Sequence, residues 1–369
     1  MAVDAPARTV ALADGSSLPY DYLVVATGAN HSYFGRDDWA SLAPGLKSIE
    51  DAIDIRRRIL LAFERAEAEP DAVRRQAWLN FVIVGGGPTG VEVAGALAEI
   101  KRYVLRRDFR KIDPTEAIVV LVEAGKRILP SYPANLSVKA KDSLRRLGVD
   151  VRTETRVTEI SADAVTAGGW RIPTHTVIWA AGNVASPILR TLGAPLDAQG
   201  RVIVEPDCSI PGHAEVFVLG DAAHYEHGPE GILPGVCPVA IQMGDYAARA
   251  IRHDLAGRAR PGADGVRAGG TTAGDARLPT VRAGFKYWNK GQLAVIGRAR
   301  AVAEIWRFHL SGVIAWSIWI FVHIFFLIGF RNRLIVLIEW GISYLTYSRG
   351  ARIITGELPA AVREQGATP

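Results

Sequence analysis

Residues 81–100, Phe-Val-Ile-Val-Gly-Gly-Gly-Pro-Thr-Gly-Val-Glu-Val-Ala-Gly-Ala-Leu-Ala-Glu-Ile, leave few choices of fold: an apolar run stops at consecutive glycines and a helix-forming run begins at once. That order predicts strand, tight turn, helix. Gly85, Gly87 and Gly90 stand at Gly-x-Gly-x-x-Gly spacing. Such a turn lets a pyrophosphate approach bare backbone, while the helix N-terminus offers unpaired N–H groups and the positive end of its dipole. The stretch reads as a dinucleotide site. A second apolar strand, 117–122, ends at Glu123, whose carboxylate would accept hydrogen bonds from a ribose 2′-OH and repel a 2′-phosphate. It follows the glycines by more than the usual ~20 residues, because the basic segment 101–116 intervenes. NADH is favoured over NADPH, and Lys126 and Arg127 pull the other way.

A chain of 369 residues, 49% hydrophobic and 22% charged, has the length for two or three domains and the apolar content for sizeable cores, which excludes a disordered protein. The formal net charge of +5 matters through its location. No basic and aromatic cluster forms a nucleic-acid-binding motif, whereas Arg331, Arg333, Arg349 and Arg352 flank very apolar segments, a pattern suited to an anionic membrane surface. Cys208 and Cys237 are too few and too far apart for a disulfide framework or a Cys-x-x-Cys pair, so no metal site is expected and a reducing compartment is implied. Residues 1–13 lack the apolar core of a signal peptide.

Taken in order, residues 8–13 alternate into an Asp14-Gly15 hairpin turn, and the buried strand 23–28 ends in Ala26-Thr27-Gly28. A counterpart at 176–183 ends in Ala180-Ala181-Gly182-Asn183; small residues at strand ends let a cofactor lie against backbone. A helix is expected from 52 to 69, capped by Ser48 or Asp51, with Ile55, Ile59, Leu60 and Phe63 on one face. After the glycines, a helix near 136–147 and strands at 149–153 and 156–160 predict a doubly wound α/β domain over 78–190. The strand 214–219 delivers Asp221 just past its end, and residues 234–244 lead into a helix through 252. Residues 257–275, rich in Gly, Ala, Arg and Asp, read as a flexible insertion. Residues 310–330 contain no Lys, Arg, Asp or Glu and suffice to cross a bilayer. The next apolar segment, 334–347, is short and aromatic, so the alternatives are one transmembrane helix or two helices lying on the membrane.

Together these motifs resemble the type II NADH dehydrogenases, single-subunit, non-proton-pumping NADH:quinone oxidoreductases of the two-dinucleotide-binding flavoprotein superfamily. The resemblance runs nearly end to end. It rests on Tyr20-Asp-Tyr-Leu-Val-Val-Ala-Thr-Gly-Ala29, Gly45-Leu-Lys-Ser-Ile-Glu-Asp-Ala52, Val84-Gly-Gly-Gly-Pro-Thr-Gly-Val-Glu92, Val218-Leu-Gly-Asp-Ala-Ala223 and Lys290-Gly-Gln-Leu-Ala-Val-Ile-Gly297. It implies an α/β fold of tandem Rossmann-like domains with C-terminal membrane-associated helices. FAD and NAD would be the cofactors. The implied organisation is an FAD-domain remnant over 1–55, an NADH domain over 78–190, a second FAD segment over 191–256, an insertion over 257–280 and a quinone and membrane region over 281–369.

By the same resemblance, Gly85, Gly87, Gly90 and Glu123 hold NADH. Thr27, Gly28, Ala181, Gly182, Gly220, Asp221, Ala222, Ala240 and Gln242 line the cofactors. Glu92 stands beside nicotinamide and flavin as a catalytic residue; as a plain helix residue it would be an acid favoured by the dipole of the first turn. Two departures matter. Of the family's pair of glutamines four residues apart, Gln242 matches the second while Pro238 replaces the first. The family's own FAD-binding Gly-x-Gly-x-x-Gly has no match before residue 20, so the first domain is expected to be incomplete. The implied reaction is ping-pong: NADH gives hydride to flavin and leaves, and a membrane quinone collects the electrons. The implied partners are NADH, quinone and lipid at the cytoplasmic side of the bacterial inner membrane, without nucleic acid, and a homodimer is compatible. The alternatives are a truncated, non-catalytic NAD-binding membrane fragment, or another FAD-dependent NAD(P)H oxidoreductase of the superfamily.

Overall fold

The computed structural model describes residues 1–105, 108–259, 282–326 and 335–336. The chain divides into two units, Met1–Asn30 with Asn183–Asn289, and His31–Gly182 with Lys290–Pro369. The first unit opens with an antiparallel meander of β1 (Ala2–Asp4), β2 (Thr9–Ala11) and β3 (Ser17–Pro19), followed by β4 (Leu23–Val25). The expected hairpin turn is present: Gly15 takes φ +85° and the Asp14 carboxylate accepts from the Ser16 N–H and hydroxyl.

In the second unit, Ser48 and Asp51 form a capping box that starts α1 (Ile49–Ala68) one turn earlier than periodicity alone suggests. The short α2 (Ala72–Leu79), capped by Asp71, carries too little periodicity to be read from sequence. Then come β5 (Asn80–Val84), α3 (Pro88–Glu99), β6 (Ile118–Val122), α4 (Ala134–Arg146), β7 (Val149–Arg152), β8 (Val157–Ile160), β9 (Ala164–Ala167), β10 (Trp170–Pro173) and β11 (Thr176–Trp179). Four of these make a parallel sheet in the order β11-β5-β6-β7, with Val82 level with Val120 and Val177.

Apart from the edge strand β7, whose Val-Asp-Val-Arg alternates, the sheet is buried on both faces, which is why β5, β6 and β11 read as apolar runs. Phe81, Ile83, Val119 and Leu121 face a core shared with α1, α3 and α4. Val82, Val84, Val120 and Val122 face Tyr33, Trp39 and Val165. This second face corrects the doubly wound expectation. It is covered by the antiparallel sheet β8-β9-β10 rather than by helices, because residues 157–173 are too short for a crossover helix and turn at Gly168 (φ +57°) and Gly169 (φ +82°). Residues 31–55, grouped by sequence with the first domain, lie in the second unit, since Ile55, Ile59 and Phe63 of α1 pack into the core under β5.

Back in the first unit, β12 (Ser209–Ile210) pairs antiparallel with β13 (His213–Val218), and β13 runs parallel to β4 with Val216 level with Leu23 and Val218 with Val25. Helix α5 (Cys237–Ala259) takes in residues 257–259 of the expected insertion; residues 260–280 lie outside the described residues. Arg282 then ties the returning chain down, donating to Asp207, Asp254 and the Ala214 carbonyl.

The second unit resumes with an antiparallel sheet of β14 (Gln292–Gly297), β15 (Arg300–Ile305) and β16 (Phe308–Gly312), then α6 (Val313–Phe326). Residues 310–312 therefore belong to β16 and not to the helix, and residues 327–330 lie outside the described residues. Leu310 and Gly312 pair with Ala303 and Ala301, Gly312 turns at φ +74°, and only then does a helix start. No helix among the described residues is long and apolar enough to cross a membrane. Of the second apolar segment, 334–347, only 335 and 336 are described.

Candidate active site

Strand β5 is the point where the sheet changes direction: the chain leaves it through α3 to β6 on one side and comes back to β11 on the other. The carboxyl ends of β5 and β11 lie side by side there, the Ala180 N–H donating to the Val84 carbonyl at 2.7 Å, and the crevice outside such strand ends is the usual ligand position in such sheets. The three motif glycines divide the work at its lip. At Gly85, with φ +110°, a Cβ would lie 2.7 Å from the Ala180 carbonyl; at Gly90 it would overlap the Gly85 carbonyl oxygen. Both are required by the turn itself. Gly87 has an ordinary φ of −71° and nothing within 4 Å of a Cβ, so its missing side chain leaves room for a ligand. No side chain caps α3, which begins with Pro88, and its first N–H groups remain for that ligand. The crevice thus fits a dinucleotide pyrophosphate.

Glu123 sits past the end of β6, as expected, and also does something the motif does not reveal. Its two carboxylate oxygens accept the Gly86 and Gly125 N–H groups, each at 2.6 Å, pinning the glycine turn to β6. Each oxygen keeps a lone pair for a ribose hydroxyl. Arg127 is turned onto its own loop, donating to the Pro130 carbonyl, rather than toward that carboxylate.

Glu92 lies on α3 against β14, and its carboxylate accepts the Val295 N–H at 3.3 Å. The same helix stripe continues through Gly95, where a Cβ would overlap the Ile296 carbonyl oxygen, to Glu99, which accepts the Arg298 N–H at 2.5 Å. The reason is visible in the sheet: β14 is an edge strand, and its outer N–H groups have no strand to pair with. Two carboxylates and a glycine fasten it to the helix. Burial pushes the carboxyl pKa of Glu92 and of Glu99 up, the backbone hydrogen bonds opposing it. Burial and then the Glu92 and Glu304 charges hold the Tyr132 phenol above its ordinary range. Tyr132, Gly95 and Glu99 carry no motif; the helical spacing 92, 95, 99 is the sequence signal that could have joined the last two to Glu92, and none pointed to Tyr132.

A carboxyl whose pKa rises on folding favours the folded state most below the ordinary carboxylate range, and that contribution is lost as pH climbs through the raised folded value. Glu99→Gln keeps an oxygen for Arg298 and never ionises. Its melting temperature is expected to fall less than that of the unsubstituted chain between about pH 4 and about pH 7. Parallel melting curves across that range would show that ionisation of Glu99 costs the fold nothing.

In the first unit, the parallel pairing of β4 with β13 sets Ala26-Thr27-Gly28 beside Gly220-Asp221-Ala222, and the Leu219 N–H donates to the Val25 carbonyl at 3.0 Å. Thr27 is exposed, Gly28 has φ +66° with open space, and Ala222 is buried. The Asp221 carboxylate packs against Gly235 and accepts no hydrogen bond among the described residues, which suits a hydroxylated ligand. Ala240, on α5, packs behind Gly220. Gln242 points its amide elsewhere, exchanging two hydrogen bonds with the Trp288 backbone at 3.0 and 2.9 Å. The residues present fit the hydroxyl-bearing part of FAD; among the described residues of this unit no second glycine turn offers a cradle for its diphosphate. Ala181 and Gly182 follow β11 in the second unit, where Gly182 has φ +73°.

The family model for pyridine nucleotide-disulphide oxidoreductases matches residues 1–244, and that for the NDH2 C-terminal domain matches 289–349. The chain is 39% identical to the type II NADH:quinone oxidoreductase NdhA of Mycobacterium tuberculosis, covering 97% of this chain and 74% of that protein. It is 41% identical to the Ndh enzyme of the same organism, covering 92% and 70%. The solved structure of NDH2 from Plasmodium falciparum in complex with NADH superposes with a TM-score of 0.78 at 18% identity, covering 96% of this chain and 84% of that one, a likeness of fold. With relatives of this identity along almost its whole length, the chain belongs to the type II NADH:quinone oxidoreductases.

Proposed function

We propose that the crevice between β5 and β11 takes NADH and that the chain works as a non-proton-pumping NADH:quinone oxidoreductase. The observation that carries the reading is the open space at Gly87 between two glycines that the turn itself demands. The backbone around Gly85–Gly90 holds the pyrophosphate, α3 contributes its N-terminal N–H groups, and Glu123 accepts the adenosine ribose hydroxyls. Ala26–Gly28 and Gly220–Ala222 line FAD, with Asp221 accepting from its hydroxyls. FAD, when bound, supplies the two-electron carrier between NADH and quinone. Glu92, a half-buried carboxyl at the first turns of α3, orients the nicotinamide side or holds a proton there while it keeps β14 in place.

Purified chain supplied with FAD is expected to show flavin absorption that NADH bleaches and a quinone restores. No flavin chromophore even with added FAD would remove the enzyme reading for this chain. In stopped flow, Glu92→Gln should slow one half-reaction by about 10²-fold, the low end for a general acid or base. Unchanged half-reactions would leave Glu92 a fastener of β14 only.

Membrane attachment at the cytoplasmic face of the inner membrane fits the same region. Trp306, Phe308, Val313, Ile314, Phe321 and Phe325 are all exposed on β16, α6 and the hairpin before them, the residue types of a bilayer interface. Replacing Phe321 and Phe325 by Ser should lower flotation with anionic vesicles; equal flotation would place the attachment elsewhere.

A further inference from the structure

We infer that Phe34 forms an aromatic wall at the nicotinamide end of the β5–β11 crevice, touching the nicotinamide half of the bound nucleotide. The inference rests on the NADH reading of that crevice. Its ground is an exposed ring held in an unfavourable backbone conformation. Tyr33-Phe34-Gly35-Arg36 is a tight turn closed by the Arg36 N–H on the Tyr33 carbonyl at 3.0 Å, with φ +53° at Phe34 and +85° at Gly35. Positive φ at both central positions calls for Gly, Asn or Asp. A bulky aromatic in the first of them is an outlier, and such strain persists where the surroundings enforce it.

The surroundings do enforce it. Tyr33 stacks on Trp179 at 5.1 Å between ring centroids, Trp39 leans on the same indole at 5.7 Å, and the Trp179 indole N–H donates to the Ser32 carbonyl. Those three rings are buried, whereas Phe34 is 70% exposed. The buried cluster is an anchor and Phe34 is its one uncovered member. Its ring leans edge-on toward Trp179 and ends over Gly182, where a Cβ would lie 2.6 Å from the ring tip and 2.9 Å from the Ser32 carbonyl oxygen. The missing side chain at 182 is what lets the ring reach the mouth of the crevice.

The polarity of the crevice identifies what the ring meets. Glu123 marks the ribose of the adenosine half on the β6 side, and the pyrophosphate lies at the glycine turn, so the other half of the nucleotide runs over Ala180–Gly182 on the β11 side. An aromatic ring against a nicotinamide ring contributes about a three- to tenfold gain in affinity.

ADP-ribose, which lacks nicotinamide, separates this from a general effect on the fold. By calorimetry on the full chain, Phe34→Ala should weaken NAD binding about three- to tenfold while ADP-ribose stays within about twofold, and Phe34→Tyr should restore NAD binding. Equal weakening of NAD and ADP-ribose, or no change in either, overturns the inference while leaving the NADH site intact. An unsubstituted chain that binds neither ligand overturns the NADH reading itself.

Discussion

Gly87→Ala is expected to fold as well as the unsubstituted chain and to lose at least about tenfold in NADH affinity, a difference of ~1.4 kcal/mol. Two small effects on the fold oppose each other. An alanine at the N-cap is poorer than glycine by a few tenths to ~1 kcal/mol, whereas removing a glycine from the unfolded chain at a compatible φ stabilises by ~0.4–1 kcal/mol. The φ of −71° is compatible, and nothing lies within 4 Å of the added methyl. The methyl therefore occupies ligand space alone. Gly90→Ala is the counterpart: its methyl overlaps the Gly85 carbonyl oxygen, so binding and melting temperature should fall together. Titration with NADH and thermal melts of both variants decide the matter. A Gly87→Ala chain that binds NADH unchanged would remove the pyrophosphate from this turn.

That contrast shows what the one-dimensional pattern carries and what it leaves out. Strand, turn and helix at 80–99 were legible because each level agrees: a run buried on both faces, glycines where no Cβ fits, and proline opening a helix. Which glycine faces open space was not, since spacing is silent about whether a Cβ would meet backbone. Periodicity found the buried face of α1 but placed its start too late, because a capping box acts through side-chain geometry. The point where the apolar tail turns helical was hidden for a related reason. Residues 310–312, Leu-Ser-Gly, are uncharged like the helix after them, yet their backbone pairs with 301–303, and a pairing partner leaves no mark within the segment itself. Likewise Glu92 was recognised by its place in a motif, while its contact with Val295, some two hundred residues away, and its companion Glu99 emerged only in three dimensions.

Gly95→Ala should be the most damaging single methyl in the second unit. Its Cβ would overlap the Ile296 carbonyl oxygen, a backbone atom with no rotamer to move to, so α3 must lift away from β14. Overpacking alone costs ~1–3 kcal/mol. The lift also parts Glu92 from the Val295 N–H and Glu99 from the Arg298 N–H, and each half-buried carboxylate hydrogen bond lost costs a further ~1–3 kcal/mol. The sum, roughly 3–9 kcal/mol, is comparable with the whole stability of a domain, ~5–15 kcal/mol. At about 2–4 °C per kcal/mol for a unit of this size, a melting temperature lower by ~10 °C or more is expected by calorimetry. Ala96→Gly, on the exposed side of the same helix, supplies the control, since it costs only the helix propensity of ~1 kcal/mol. A Gly95→Ala chain melting no lower than Ala96→Gly would mean that α3 and β14 are not held backbone to backbone. If the large loss is found, the carboxylates of Glu92 and Glu99 reach the edge of β14 because Gly95 lets the helix come close enough, and any role of Glu92 at the nicotinamide depends on that approach.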